Sequence, residues 1–341
     1  MVDQSASAAV NRQIVFSSIP DGLPTLDNFT LVESPVPEPQ DGQIRVRHLF
    51  LGLSPSARLR MAGDSDYGAG MPLGKPVQGQ AVGVVDISRN PAFQPGDHLV
   101  VNGGWQSYSV TSGRGATRVD ADLAPPSCAL GLLGTSGMTA YVGMLDIGLP
   151  KAGETVVVSA ASGSVGSVAG QIAKLKGCRV VGVAGGAEKC DYVTKTLGFD
   201  ACVDHRAPGL PQRLAAACPE GIDIYFENVG GAVRSAVWPL FNDFGRVVLC
   251  GMISDYQNRE GLTGPDWFPI LTHRLTIRGF LLRDHADRRD AFLADMADWY
   301  RSGMVRYRED VADGLEQAPA AFIRLLRGDN FGKTLVRLAD G

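Results

Sequence analysis

The stretch SAASGSVGSVAGQIAKLKGC, Ser159 to Cys178, decides how the rest of the chain is read. It overlaps the end of ETVVVSA (Glu154–Ala160), whose apolar, β-branched run reads as a buried strand. The turn ASGSVG follows, and behind it Val165, Val168, Ala169, Ile172 and Ala173 recur at helical spacing, giving one apolar face. Strand, glycine-rich turn and helix in that order suit a dinucleotide. The helix start offers unpaired N–H groups and the positive end of its dipole to a pyrophosphate. Gly163 lets the backbone approach the phosphates and Gly166 lets the helix pack on the strand. Ala161, with Ser164 and Val165 beyond it, stands where the fingerprint has its first glycine; Ala makes that tight turn if its φ stays negative. Taken alone, the loop also fits a structural βα turn.

The next strand carries the cofactor preference. An NAD site places an acid about 20 residues on, to hold the ribose 2′-hydroxyl. Here RVVGVAGG (Arg179–Gly186) ends on Gly185 and Gly186 without one, and Glu188 comes too late, inside the following turn. Lys189 follows it, and Arg206 comes just after the third strand. A neutral strand end flanked by cations suits a 2′-phosphate, so the expected cofactor is NADP (NADPH).

Outward from this centre, apolar runs alternate with helical stretches. IDIYFENVG (Ile222–Gly230) and GRVVLCGMIS (Gly245–Ser254) continue the series, as expected of a parallel sheet covered on both faces. The first third differs. GQIRVRHLFLGLS (Gly42–Ser54), QAVGVVDIS (Gln80–Ser88) and FQPGDHLVV (Phe93–Val101) are short strands with frequent turns, as in a small barrel. After Ser254 the sequence reads as irregular and β-like, ending in GKTLVRLA (Gly332–Ala339).

Composition sets the bounds. A chain of 341 residues, 45% hydrophobic and 20% charged, suits a two-domain globular enzyme, and a net charge of −4 gives no basic footprint for nucleic acid or a membrane surface. The first residues lack the apolar core of a secretory signal, and the uncharged run Thr155–Ala173 is too rich in Gly and Ser to read as a membrane span. The six cysteines form no CxxC pair, which argues against a disulfide framework or a Cys-based zinc site and suits buried thiols in the cytoplasm. His48 and His98 stand alone in strand-like runs, so no metal is expected.

The segments GWQSYS (Gly104–Ser109), LGTSGMTAY (Leu133–Tyr141), AASGSVGSVAGQIAKLKGCRVVG (Ala160–Gly182), GGAEKC (Gly185–Cys190), YFENVGG (Tyr225–Gly231), GRVVLCGMIS and GDNFGKTLV (Gly328–Val336) together carry a resemblance over nearly the whole chain. It is similar to the zinc-independent medium-chain dehydrogenase/reductases, in the branch of prostaglandin reductases, 2-alkenal (double-bond) reductases and curcumin reductases. The resemblance implies a GroES-like β-barrel domain over 1–126, completed by 306–341, and a Rossmann domain with a doubly wound parallel sheet over 127–305. It implies hydride transfer from NADPH to the β-carbon of an α,β-unsaturated aldehyde or ketone, in a homodimer. Zinc alcohol dehydrogenases share this architecture, but their early Cys and GHE motif are missing here.

Carried over by motif, Lys189 meets the 2′-phosphate, and His205 stands where relatives have a tyrosine near that phosphate. Asn228, Cys250, Gly251, Ile253, Ser254 and Tyr256 line the nicotinamide side with Phe280, Leu281 and Leu282, while Asn330 reaches the cofactor from the tail. Tyr256 matches the tyrosine that polarises the carbonyl or supplies the proton; a phenol donates a hydrogen bond without ionising. A role in packing alone suits Tyr256 equally. Tyr67 and Trp267 are further candidates for the pocket wall. SPSAR (Ser54–Arg58) departs from the DPYMR of relatives and puts Ser56 where their aromatic faces the substrate, which implies a wider or more polar pocket. Two alternatives stay open: a quinone oxidoreductase of the same fold and a non-catalytic NADPH-binding protein.

Overall fold

The computed structural model describes residues 10–63, 69–256, 264 and 266–339. The chain divides into two compact units, one of Met1–Leu130, Val311–Arg327 and Thr334–Gly341, the other of Gly131–Asp310 and Gly328–Lys333.

In the first unit, β1 (Val10–Phe16) and β2 (Phe29–Pro35) form an antiparallel pair. The longer sheet contains β3 (Ile44–Gly52), β4 (Gln80–Ser88), β5 (His98–Val101), β6 (Tyr108–Thr111) and β7 (Thr117–Arg118). β3 is central, pairing antiparallel with both β4 and β6 and shifting register twice along β4. Such bulges bend and twist a strand, as a curved small sheet requires. Ile44 and Val46, and Leu51 beyond the second register shift, turn into a core that Phe29, Trp105 and Phe322 fill. Phe29 stacks on Trp105 at 5.7 Å and Phe322 meets the indole edge-on at 5.6 Å.

His48 lies buried in this unit, its Nδ1 2.7 Å from the Gln106 carbonyl and its Nε2 2.8 Å from Ser109 Oγ. Gly103 makes room, since a Cβ there would fall 2.3 Å from the imidazole. Burial pushes the His48 pKa from 6.5 down to about 4, so the folded ring stays neutral where the unfolded one charges. The sign follows: His48 contributes its full stability above pH 6.5 and loses it as pH falls towards 4. The loss by pH 4.5 is about 2–3 kcal/mol. Urea midpoints at pH 7.5 and 4.5 should show this fall, reduced in His48→Gln; an unchanged pH dependence in the variant would overturn the assignment.

Among the described residues, the parallel sheet of the second unit has six strands: β8 (Thr155–Ser159), β9 (Arg179–Ala184), β10 (Ala201–Asp204), β11 (Ile222–Glu227), β12 (Phe241–Leu249) and β13 (Thr276–Gly279). All pair in parallel, in the order β10-β9-β8-β11-β12-β13. Alternation splits them into two cores. Val156, Val158, Ile224 and Phe226 face Val168 and Ile172, while Val157, Val181 and Tyr225 face Leu214 and Val233. This is the doubly wound sheet expected from the alternating runs. Its order reverses between β8 and β11, and ligands of such sheets bind beyond the carboxyl ends of the strands at that point.

One expectation is corrected. The stretch after Ser254 carries β-structure as expected, in strands over Glu309–Asp313 and Lys333–Arg337, but also helices over Arg289–Arg301 and Ala318–Leu326 that were not expected. Only Phe292 and Met296 of the first are fully buried, so its apolar stripe is thin among charges. In the second, Pro319 looks like a breaker but occupies the first turn, where no N–H is needed.

Candidate functional site

The glycine-rich turn leaves β8 at Ser159. Ala160, and not Ala161, bears the left-handed backbone, with φ of 50°. Ala161 is wholly buried, and its N–H donates to the Val183 carbonyl at 3.0 Å. Its methyl fits because β9 has Gly182 opposite: a Cβ there would sit 2.8 Å from that of Ala161. The glycine missing from the turn is thus compensated on the neighbouring strand. Gly166 is strictly required, since a Cβ would come 2.4 Å from the Ala160 carbonyl oxygen. No side chain among the described residues caps the helix Gly166–Leu175; within the turn its Ser167 N–H donates to the Gly163 carbonyl at 3.0 Å and its Val168 N–H to the Val165 carbonyl at 3.1 Å. Ser164 Oγ is buried beside them without a protein partner among the described residues. Gly332 pairs in parallel with Gly163, which brings the Gly328–Lys333 segment beside the turn.

Cations gather at the end of β9. A Cβ on Gly185 would lie 2.9 Å from Arg206 Nε and 3.0 Å from His205 Nε2, so both side chains use the space that this glycine leaves. Lys189 Nζ donates to the Gly328 carbonyl at 2.7 Å; Arg206 donates to the same carbonyl at 3.2 Å and to Asp329 at 2.8 Å. Asp204 does not turn towards a ribose. Its Oδ1 accepts the N–H groups of Gly186 at 2.8 Å and Arg206 at 2.9 Å, and the first of these holds its pKa low. Partial burial and then Arg206 lower the pKa of both Lys189 and His205. The cations Lys189 and Arg206, held this close to one another with the His205 ring beside them, fit a dianionic phosphate. Asn330, expected at the cofactor, turns its amide to the Gly332 carbonyl at 3.0 Å.

At the switch point, Asn228 ties the two strand ends together, donating through its N–H to Ser159 Oγ at 2.7 Å and through Nδ2 to the Ser159 carbonyl at 2.8 Å. The Glu227 carbonyl accepts the N–H groups of Cys250 and Gly251, each at 3.0 Å. Ile253 N–H reaches the Asn228 carbonyl at 3.2 Å and Ser254 N–H the Val229 carbonyl at 2.9 Å. The loop Cys250–Ser254 is thereby fixed over the end of β11. Burial pushes the Cys250 thiol up to about 12, which keeps it neutral. Phe280 packs where Gly143 has no side chain, 3.0 Å from the place of a Cβ. Leu282 is half-buried and Leu281 exposed.

Tyr256 belongs to this loop. Its hydroxyl lies 3.4 Å from the Met252 N–H and over Gly251, whose Cβ would stand 2.9 Å away. Trp267 is 74% exposed. Ser56 belongs to the first unit, with its hydroxyl 2.9 Å from that of Ser54, and Tyr67 lies outside the described residues.

Glu227, which closes β11, joins the site although no motif marks it. It is wholly buried, and Oε1 takes four hydrogen bonds: Tyr225 OH at 2.8 Å, Ser159 Oγ at 3.2 Å, and the N–H groups of Val229 at 2.8 Å and Gly230 at 3.0 Å. Burial raises its pKa against these bonds. The available signal was an acid closing an otherwise apolar strand, because a buried carboxylate persists only where donors surround it.

A doubly wound sheet, a glycine turn at a helix start and a cationic pocket at the second strand define a dinucleotide-dependent oxidoreductase fold. The chain belongs to the medium-chain dehydrogenase/reductase family. Residues 12–119 match the N-terminal domain of oxidoreductase, and residues 164–298 match the family described as zinc-binding dehydrogenase. Among the described residues, no three His, Cys, Asp or Glu side chains gather to hold a metal. An NADPH-dependent curcumin reductase of Escherichia coli (strain K12) is 46% identical over 335 residues, covering 96% of this chain and 97% of that one. A 2-alkenal reductase (NADP(+)-dependent) of Nicotiana tabacum is 37% identical over 344 residues, covering 98% and 99%. The crystal structure of CurA in complex with NADPH from Vibrio vulnificus superposes with a TM-score of 0.93 at 44% identity, covering 97% and 100%.

Proposed function

We propose that the protein is an NADPH-dependent reductase that saturates the C=C bond of α,β-unsaturated aldehydes and ketones without zinc. The observation that carries the cofactor is the cluster of Lys189, His205 and Arg206 around Gly185, where an NAD site would place an acid. The likeness to an NADPH-dependent curcumin reductase and to a 2-alkenal reductase supports the substrate class.

In this reading Gly163, Ser164, Val165 and Gly166 hold the pyrophosphate, with Ala161 setting the turn. Gly185, Lys189, His205 and Arg206 hold the 2′-phosphate. Asn228, Cys250, Gly251, Ile253, Ser254, Phe280, Leu281 and Leu282 flank the nicotinamide, and Asn330 closes from the tail. Bound NADPH supplies the hydride. Tyr256 donates a hydrogen bond to the substrate carbonyl as negative charge develops on it. Glu227 acts beneath them by holding the turn at Val229 and Gly230. The placing of Ser56, Tyr67 and Trp267 at the substrate rests on the resemblance.

NADPH consumption over alkenals, cyclic enones and quinones, with product analysis, tests the reading. Saturation of the enal C=C is expected; turnover of quinones alone, or of none, would overturn it.

The cytoplasm is the compartment that six cysteines outside any disulfide favour. A homodimer is also part of this reading. β13 ends its sheet with every residue exposed, and Phe268 and Leu271 nearby in the chain are 67% and 72% exposed. Sedimentation should give the mass of two chains, and the mass of one would refute it.

A further inference from the structure

The cofactor site leaves one pair of side chains unused. Cys190 follows Lys189 within the helix Ala187–Asp191, and Cys202 lies on β10, two residues before Asp204. Their sulfurs are 3.1 Å apart, with the Cys202 thiol donating to Cys190, and neither residue is fully buried. That hydrogen bond lowers the pKa of Cys190 and, with burial, raises that of Cys202. One sulfur is prepared to ionise and the other to keep its proton. By contrast, burial pushes Cys178 and Cys218 up to about 11.

We propose that Cys190 and Cys202 are a reversible thiol–disulfide site, oxidised by hydroperoxides, that weakens NADPH binding when closed. The inference rests on the reading of Lys189 as a 2′-phosphate ligand. The Cys190 thiolate attacks one peroxide oxygen, breaking the O–O bond to give a sulfenic acid and hydroxide, which takes up the proton Cys190 has shed. The Cys202 sulfur then attacks the sulfenic sulfur, forming S–S and releasing water. In total two thiols and one H2O2 give one disulfide and two waters, two electrons passing from sulfur to oxygen.

Closure draws the sulfurs from 3.1 Å to about 2.05 Å. The helix carrying Cys190 starts at Gly186, with φ of 93°, so the movement is taken up next to the cationic cluster. Lys189 moves with it, away from the geometry in which it and Arg206 share the Gly328 carbonyl. Linkage makes the effect reciprocal: bound NADPH resists oxidation by the same factor by which oxidation weakens NADPH.

The test is oxidation of the intact enzyme with hydrogen peroxide, followed by tryptic mass spectrometry and NADPH titration. A cross-link between peptides 190–195 and 196–206 is expected, with NADPH affinity about five-fold or more weaker and restored by dithiothreitol. Cys190→Ser and Cys202→Ser should each bind NADPH normally and lose the response. The inference is overturned if the linked peptide does not form, or if it forms and affinity is unchanged. Lys189→Ala separates the two claims, because unaltered NADPH affinity in that variant refutes the 2′-phosphate reading whatever the peroxide does.

Discussion

Lys189→Ala is expected to weaken NADPH binding by about 10- to 100-fold while leaving NADH binding nearly unchanged. The basis is a charge-assisted contact, for which about 1.5–3 kcal/mol is the ordinary range. Without a phosphate, the ammonium already has the Gly328 carbonyl at 2.7 Å, so the loss is moderated by the tail contact it gives up. His205 and Arg206 converge on the same space above Gly185 and retain part of the attraction. A single substitution therefore lowers affinity without abolishing it. Fluorescence titration with both nucleotides provides the measurement. Equal weakening of NADH and NADPH would mean that Lys189 supports the fold of the loop and not the phosphate. Because the 2′-phosphate is the only difference between the two nucleotides, their ratio isolates the contact from general damage.

Local chemistry made most of the fold readable. An unbroken run such as TVVVS tolerates only burial on both faces, and that condition implies a covered parallel sheet. The requirement for glycine at 166 was equally readable, because it follows from a contact six residues back, with Ala160. What the sequence hid were relations between distant residues. That Ala161 is accommodated by Gly182 depends on the pairing of β8 with β9. Glu227 reads as one acid in YFENVGG until Ser159, 68 positions away, is brought against it. The Cys190–Cys202 contact crosses 12 positions between a helix and a strand and leaves no motif. The tail helix Ala318–Leu326 holds Pro319 in its first turn, and whether a proline breaks a helix depends on its place in it. At the site, residue types at the strand ends could be recognised in advance, whereas their hydrogen-bond partners could not.

Tyr256→Phe is expected to lower kcat/KM for an enone by about 10²- to 10³-fold, the usual effect of losing one donor to a developing oxyanion. NADPH affinity should change little, since the ring remains and only the hydroxyl is lost. The hydroxyl stands over Gly251, 2.9 Å from the place of a Cβ, and near the Met252 N–H at 3.4 Å, in a loop held by the Glu227 carbonyl. Its position thus depends on a glycine, and this gives a second, independent probe. Gly251→Ala keeps the phenol but pushes its oxygen aside, so kcat should fall while the donor is still present. If Tyr256 serves only to pack against the substrate, Phe fills the same volume and full kcat survives, whereas the displaced ring of Gly251→Ala still harms binding. Steady-state kinetics on both variants, separating kcat from KM, therefore distinguish a proton-donating tyrosine from a packing one, and full kcat in Tyr256→Phe would remove the catalytic role.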